Sequence, residues 1–252
     1  MPFIKNAETV AQQAMHGIDP SLKRKFATIV RLLASGSVAA SKLRGKNAPQ
    51  IGTKEYISRA AQNFAQGRIP KRPEPPATVP DEMVSFVLEH YFDVPAKSLE
   101  HVRKEHKLSM GAENIVGDLL ERYLAKNMEA VGWVWCSGSL IKGVDFVKAP
   151  KSKDANWILL QVKNRDNSEN SSSSAIRAGT TIEKWHRTFS LKPGTNWESF
   201  PDNRIQPILS ESKFRIFAKV YLKKLKRTPT KQPPTMPITR RGIGKGSQSV
   251  NP

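Results

Sequence analysis

An aspartate and a lysine lie on two neighbouring apolar stretches of the sequence. Asp145 falls within GVDFV (143–147), and Lys163 ends WILLQVK (157–163), with Gln161 two positions before it. Because side chains two apart share one face of a strand, Gln161 and Lys163 are expected to lie together. Phosphodiester hydrolysis needs a hard divalent cation, and Mg²⁺ prefers carboxylate and water oxygens. The pattern predicts Asp145 as a Mg²⁺ ligand, and Lys163 as the group that orients water or neutralises charge on the phosphorane.

A third acidic group precedes these strands. Glu113 lies in the first turn of a predicted helix, GAENIVGDLLERYLAKNMEAV (111–131), whose apolar residues share one broad face. Glu113 could reach the site as a second metal ligand, or could be a glutamate favoured only by the helix dipole. Asp145 and Lys163 could equally be ordinary residues of a turn and of a strand end.

The elements around these residues predict an α/β fold. Short apolar runs predict strands at 133–138, 139–147 and 157–163, the first two joined by a tight turn near Ser137 and Gly138. Thr180 and Glu183 form a capping-box pattern for a helix that continues through Phe189. RIQPILS (204–210) and KFRIFAKVYL (213–222) are expected to be later strands.

The two ends of the chain differ in character from the middle. Helical periodicity follows Asp19, Thr53 and Pro80, and the proline-rich segment 68–80 is expected to run extended over the surface. The sequence from Lys223 onward is basic, with little to bury, and predicts a disordered tail. The expected division is a helical part at 1–107, a core at 108–225 and a basic tail at 226–252.

The composition points to a phosphate-rich partner. Lys and Arg total 41 against 22 Asp and Glu, a formal charge of +19 over 252 residues. Nucleic acid is the first expectation and an anionic membrane the alternative, although no window is apolar enough to span a bilayer. The single cysteine, Cys136, excludes an internal disulfide and a cysteine-rich zinc site. We therefore expect a cytoplasmic protein that binds DNA.

The longer run that contains the site resembles a known family. GAENIVGDLLERYL, GWVWCSGSLIKGVDFV and WILLQVKNR are similar to type II restriction endonucleases of the SinI-like group, in the PD-(D/E)XK nuclease superfamily. The resemblance implies a central mixed sheet flanked by helices and a homodimer that uses Mg²⁺ to cleave both strands of duplex DNA. It also suggests a GGWCC-type site, a cognate DNA methyltransferase and a bacterial source.

Asp145, Lys163 and Glu113 match the metal-binding aspartate, the lysine and the helix glutamate of this family. Val144 stands in place of the motif's proline, and Gln161 in place of its second carboxylate. An amide oxygen can coordinate Mg²⁺ but brings no charge. Either the metal is held more weakly, or Glu113 supplies the missing charge.

The residues that contact DNA are expected after the third strand, on and beyond a serine-rich loop. Arginine bonds guanine and asparagine bonds adenine in the major groove, and a polar loop can order on DNA. The candidates are Arg165, Asn167, Ser172, Arg177 and Lys184. Two other functions remain open at this point: a non-catalytic basic DNA-binding protein, and a structure-specific nuclease such as a junction resolvase.

Overall fold

The structure, a computed structural model, describes residues 2–152, 155–166 and 181–227. Within these ranges four strands form one mixed sheet, in the order β1-β2-β3-β4. β1 pairs with β2 and β2 with β3 in antiparallel fashion, whereas β3 and β4 run parallel. The strands are β1 (Trp133–Trp135), β2 (Phe146–Lys148), β3 (Ile158–Arg165) and β4 (Ile182–Thr188).

Six α-helices occur in the described ranges. They are α1 (Ala7–His16), α2 (Lys23–Ala34), α3 (Lys54–Arg68), α4 (Glu82–His90), α5 (Leu99–Met128) and α6 (Glu211–Arg227). The predicted amphipathic helices of the N-terminal part are confirmed, including two of their caps. Asp19 accepts a hydrogen bond from the Ser21 N–H before α2, and Thr53 accepts one from the Tyr56 N–H at the start of α3.

The sheet is covered on both faces, because side chains alternate along each strand. Val134, Val147 and Leu159 pack into a core with α1, α2 and α3. Trp135, Phe146 and Leu160 lie on the opposite face, in a second core with α5 and α6. The expected arrangement of a mixed sheet flanked by helices is therefore present.

Helix α5 is longer than the sequence pattern predicted. It begins at Leu99 instead of residue 111, and it crosses the expected boundary at 107 without a break. Residues 99–110 are so polar that the apolar periodicity of a helix is not visible in them, but most of them are good helix formers. Gly111, which looked like a start, lies inside the helix, where an added Cβ would come within 3.0 Å of the Glu74 backbone.

The helix predicted from Thr180 through Phe189 is wrong. Residues Ile182–Thr188 form strand β4, which pairs in parallel with β3, so that Val162 lies opposite Trp185. The exposed Glu183 that suggested a capping box is a strand residue. Pairing with a central strand prevails here over a local helix signal.

The two strands predicted after β4 are also wrong. RIQPILS contains only a short 3₁₀ turn (Gln206–Ile208), and KFRIFAKVYL lies in helix α6. Phe214 is buried and Phe217, Ala218 and Tyr221 pack beside it, a spacing that follows the helical period. β-branched and aromatic residues had suggested strands, but the spacing of the buried side chains indicates a helix.

The predicted strand 139–147 is mostly a loop. Only Phe146 and Val147 belong to β2, and the loop before them has positive φ at Gly138, Ser139 and Gly143. The apolar side chains of this loop, Leu140, Ile141 and Val144, are buried against α1 to α3 without forming a strand. The apolar content therefore reflected burial of a loop.

The extended course predicted for residues 68–80 is confirmed beyond the end of α3. The disorder predicted from Lys223 onward is wrong for Lys223 to Arg227, which are the last turn of α6. Residues 228–252 lie outside the described part of the chain. No described helix has the length and apolar character needed to cross a lipid bilayer.

Candidate active site

Asp145 occupies the junction between three strands. Its N–H donates to the Leu160 carbonyl at 2.9 Å, and its own carbonyl accepts from the Cys136 N–H at 2.8 Å. Its carboxylate Oδ2 accepts a hydrogen bond of 2.7 Å from the Val162 N–H. Backbone contacts to both neighbours thus fix this side chain at the point where β2 and β3 separate.

A glutamate on α5 lies near Asp145. Glu121 follows the buried Leu120, and its Oε2 accepts a hydrogen bond of 2.8 Å from the indole N–H of Trp135 on β1. The contact directs the carboxylate towards the sheet. The negative charge of Asp145 contributes to raising the pKa of Glu121, so the two carboxylates are neighbours.

The electrostatics of this carboxylate pair are unfavourable in the protein alone. Burial, and then the charge of Asp145, raise the pKa of Glu121 to about 8. Burial raises the pKa of Asp145 to about 6, although the hydrogen bond from Val162 and the charge of Lys163 oppose that shift. Two nearby carboxylates in a desolvated position resist ionising together. A divalent cation between them would remove that cost.

Lys163 and Gln161 lie on β3 beside Asp145. Gln161 is buried, 3% exposed, and stands between Leu160 and Val162, the two residues that bond Asp145. Lys163 is half-buried and opposes His186 of β4. Since strand residues two apart share a face, the Gln161 amide and the Lys163 ammonium group lie on one side of β3, and the charge of Lys163 acts on Asp145.

Glu113 is placed elsewhere on α5. It is exposed, in the middle of the helix instead of its first turn, and eight residues before Glu121, which corresponds to about 12 Å along the helix axis. Its side chain lines a cleft of about 820 Å³. Asn164, Arg165 and Arg187, at the ends of β3 and β4, line the same cleft.

Two of the predicted DNA contacts fall in the described part of the chain. Arg165 is exposed in the lining of the cleft, as a DNA contact requires. Lys184 is half-buried, and its Nζ donates to the Asp166 carbonyl at 3.4 Å. Asn167, Ser172 and Arg177 lie outside the described residues.

The sequence analysis missed Glu121. The segment GDLLERYL contains Asp118, Glu121 and Arg122 along one stretch of helix, and the apolar period alone does not select the acidic residue that faces the sheet. One signal was available. Glu121 lies between the buried Leu120 and Leu124, and charged side chains are rare in such surroundings unless they have a partner. Asp118 instead pairs with Arg122 at 2.6 Å and with Lys71 at 3.3 Å.

The site has an oxygen-rich but sparse ligand set. Within the described residues no group of three or more His, Cys, Asp or Glu side chains converges on one point. Two carboxylates and an amide are what Mg²⁺ accepts, since this ion keeps several waters and also binds phosphate oxygens. A structural zinc centre, which needs four protein ligands, does not fit.

Comparison with known proteins identifies the family of the chain. The chain is 51% identical over 225 residues to type II restriction enzyme SinI of Salmonella infantis, covering 89% of this chain and 97% of that protein. It is 50% identical over 224 residues to type II restriction enzyme Eco47I of Escherichia coli, covering 88% and 97%. The family model of the SinI restriction endonuclease matches residues 7–224. The chain therefore belongs to the SinI restriction endonuclease family.

Proposed function

We propose that this chain is a type II restriction endonuclease that uses Mg²⁺ to hydrolyse both strands of duplex DNA at a short specific site. The observation that carries the proposal is the pair of neighbouring carboxylates, Asp145 and Glu121, with the charge of Lys163 on β3 close to Asp145. The two relatives, each named a type II restriction enzyme, support the reaction class. The charge of +19 favours a polyanionic substrate.

The donor set of the site fits a hard divalent cation. Asp145 and Glu121 would hold it, and in this assignment Glu121 replaces Glu113 as the helix carboxylate. The amide oxygen of Gln161 is a third candidate donor. When bound, Mg²⁺ polarises the scissile phosphate and makes hydroxide available near neutral pH. The charge that Gln161 does not bring is supplied by Glu121, which explains how the site tolerates an amide at this position.

The remaining groups of the site orient the reactants. Lys163 is close enough to Asp145 to lower its pKa, and its ammonium group can orient the attacking water or neutralise charge on the phosphorane. The Val162 N–H holds one oxygen of Asp145, which fixes the rotamer of that side chain. Precise placement of this kind contributes to catalysis because the reacting groups meet without further reorganisation.

The same proposal covers the finer properties that the resemblance implies. The core would be of the PD-(D/E)XK type, with catalytic groups contributed by a helix and by two adjacent strands. DNA would lie along the cleft that Arg165 lines, and the recognised sequence would be of the GGWCC type. Two copies of the chain would act together, and a cognate DNA methyltransferase would protect the host site.

Digestion of a sequenced plasmid tests this function. Purified protein is incubated with supercoiled and linear plasmid in Mg²⁺, with an EDTA sample as the control. We expect discrete fragments in Mg²⁺ alone, and sequencing of their ends identifies the site. Shifted but intact DNA would indicate a non-catalytic binder, and cutting confined to branched DNA would indicate a junction resolvase. Either result would overturn the proposal.

A further inference from the structure

Helix α4 is apolar in composition but almost unburied. Its sequence is EMVSFVLEH, and the single buried residue in it is Ser85. Met83, Val84, Phe86 and Val87 are each between 45% and 61% exposed. A helix with a broad apolar face ordinarily packs that face against a core. Nothing in the described part of the chain covers this one.

The exposed apolar surface extends beyond α4 into the first turns of α5. Residues 79–110, here called the hairpin, contain nine of the sixteen large apolar residues exposed in the described chain. Tyr91 is 77% exposed, and residues 99–110 of α5 include no buried residue. An apolar groove of about 520 Å³ lies between the two helices. Exposed patches of this kind indicate interaction sites.

The charge of the hairpin argues against DNA as its partner. It has four basic and six acidic residues, a net charge of −2 in a chain of +19. The negative net charge of the hairpin gives a phosphate backbone no attraction to it. Two apolar surfaces of low net charge, by contrast, can associate without strong repulsion. The cores of protein interfaces are enriched in aromatic residues and Met, and the hairpin exposes Met83, Phe86, Tyr91, Phe92 and Met110.

We propose that the hairpin is the surface through which two copies of this chain associate. The inference rests on the proposed function, because cutting both strands of a two-fold symmetric site with one active site per chain calls for a symmetric dimer. The hairpin exposes 24 of its 32 residues, which is within the roughly 20–30 residues a side of a standard interface. Helix α5 continues from the hairpin to Glu121, so the interface also fixes the helix that carries the site.

The test measures association and strand cutting in the full chain. Val84→Glu and Val87→Glu place a charge on the hairpin, and Val220→Glu is the matched control at an equally exposed site on α6. Sedimentation velocity is run with and without a duplex that contains the cleaved sequence. A supercoiled-plasmid time course reports whether the two strands are cut together, and thermal unfolding confirms that the exposed substitutions leave the fold intact.

We expect the wild type and the Val220 variant to sediment as dimers and to convert supercoiled plasmid directly to linear product. Each hairpin variant should dissociate at least about thirtyfold more readily, because a central interface residue contributes at the hot-spot level, and should accumulate nicked plasmid. A wild type that is monomeric while it cuts both strands, or hairpin variants that remain dimeric, would overturn the inference. A dimer that depends on the hairpin but cuts no DNA would support the interface and contradict the proposed function.

Discussion

Half-buried carboxylates lie on either side of Trp135, and they differ in how their charge is balanced. Glu129 accepts a hydrogen bond from the Trp135 backbone N–H and pairs with Arg68 at 2.7 Å and Lys25 at 2.5 Å. Although burial opposes this, the two cations lower the pKa of Glu129. Glu121 accepts a hydrogen bond from the indole N–H of the same Trp135. Burial and the charge of Asp145 nevertheless raise the pKa of Glu121.

The difference separates a structural ion-pair cluster, around Glu129, from the candidate active site at Asp145 and Glu121. Around Glu129 the chain supplies two cations, Lys25 and Arg68. These ion pairs connect α2, α3 and the end of α5. Around Asp145 and Glu121 the chain places two carboxylates together, with Lys163 and Lys71 near enough to oppose the pKa shifts but not to cancel them. Uncompensated charge of this kind is expected where a ligand completes the balance.

The largest expected effect follows from removing a group of the functional site. Asp145→Asn and Lys163→Ala should each reduce cleavage by about 10³-fold or more, since metal and electrostatic stabilisation each contribute several kcal/mol. Both variants should still bind specific duplex, because these groups act on metal and water instead of bases. Single-turnover cleavage and a gel-shift titration measure the two effects. Wild-type cutting by either variant would refute its assignment.

Removing the charge of Glu129 should affect the stability of the fold and not the cleavage chemistry. Glu129→Gln leaves Arg68 and Lys25 facing a neutral amide, and it should lower the free energy of unfolding by roughly 2–4 kcal/mol; the partial exposure of Lys25 limits the effect. Urea unfolding measures this change. Glu198→Gln, at an exposed glutamate, is the matched control and should alter stability by less than about 0.5 kcal/mol. Equal effects in the two variants would remove the contrast between the sites.

The two sites should also differ in their response to pH. Raised pKa values mean that the folded state holds protons on Asp145 and Glu121 more tightly than the unfolded state does. Their contribution to stability is therefore present in acid and lost as pH rises from about 4 to about 8. In EDTA, the double variant Asp145→Asn/Glu121→Gln should lose less stability over this range than the wild type. Parallel melting curves for the two proteins would contradict the predicted charge coupling.

A smaller effect is expected at Gln161. Gln161→Glu adds a carboxylate beside Asp145, so cleavage should persist and the Mg²⁺ concentration at half-maximal rate should fall by a fewfold, because charged ligands bind Mg²⁺ more strongly than an amide. Rates measured across an Mg²⁺ titration give this value, and Gln66→Glu on α3 is the control. Inactivation as complete as that of Asp145→Asn would assign the amide a role beyond metal binding.

The strand pattern of the sequence was sufficient to propose Asp145, Gln161 and Lys163 as site residues, because the period of two is local and survives folding. It could not identify Glu121. Which acidic residue of α5 faces the sheet depends on how the helix is rotated against Trp135, a contact between distant parts of the chain. The strand character of residues 182–188 was hidden for the same reason, since it depends on pairing with β3. The capping residues and apolar periodicity of the N-terminal helices are encoded within each helical segment, and the predictions of those helices are confirmed.

The comparison of Glu121→Gln with Glu113→Gln tests whether Glu121 is the helix carboxylate that serves the site. Both are glutamates of α5, and both substitutions remove one negative charge. Single-turnover cleavage of a linear duplex that contains the recognised sequence is measured for each variant across an Mg²⁺ titration. We expect Glu121→Gln to lose about 10³-fold in rate or to require far more Mg²⁺, and Glu113→Gln to stay within a fewfold of the wild type. Loss of cleavage in Glu113→Gln, with normal cleavage in Glu121→Gln, would contradict the assignment of Glu121.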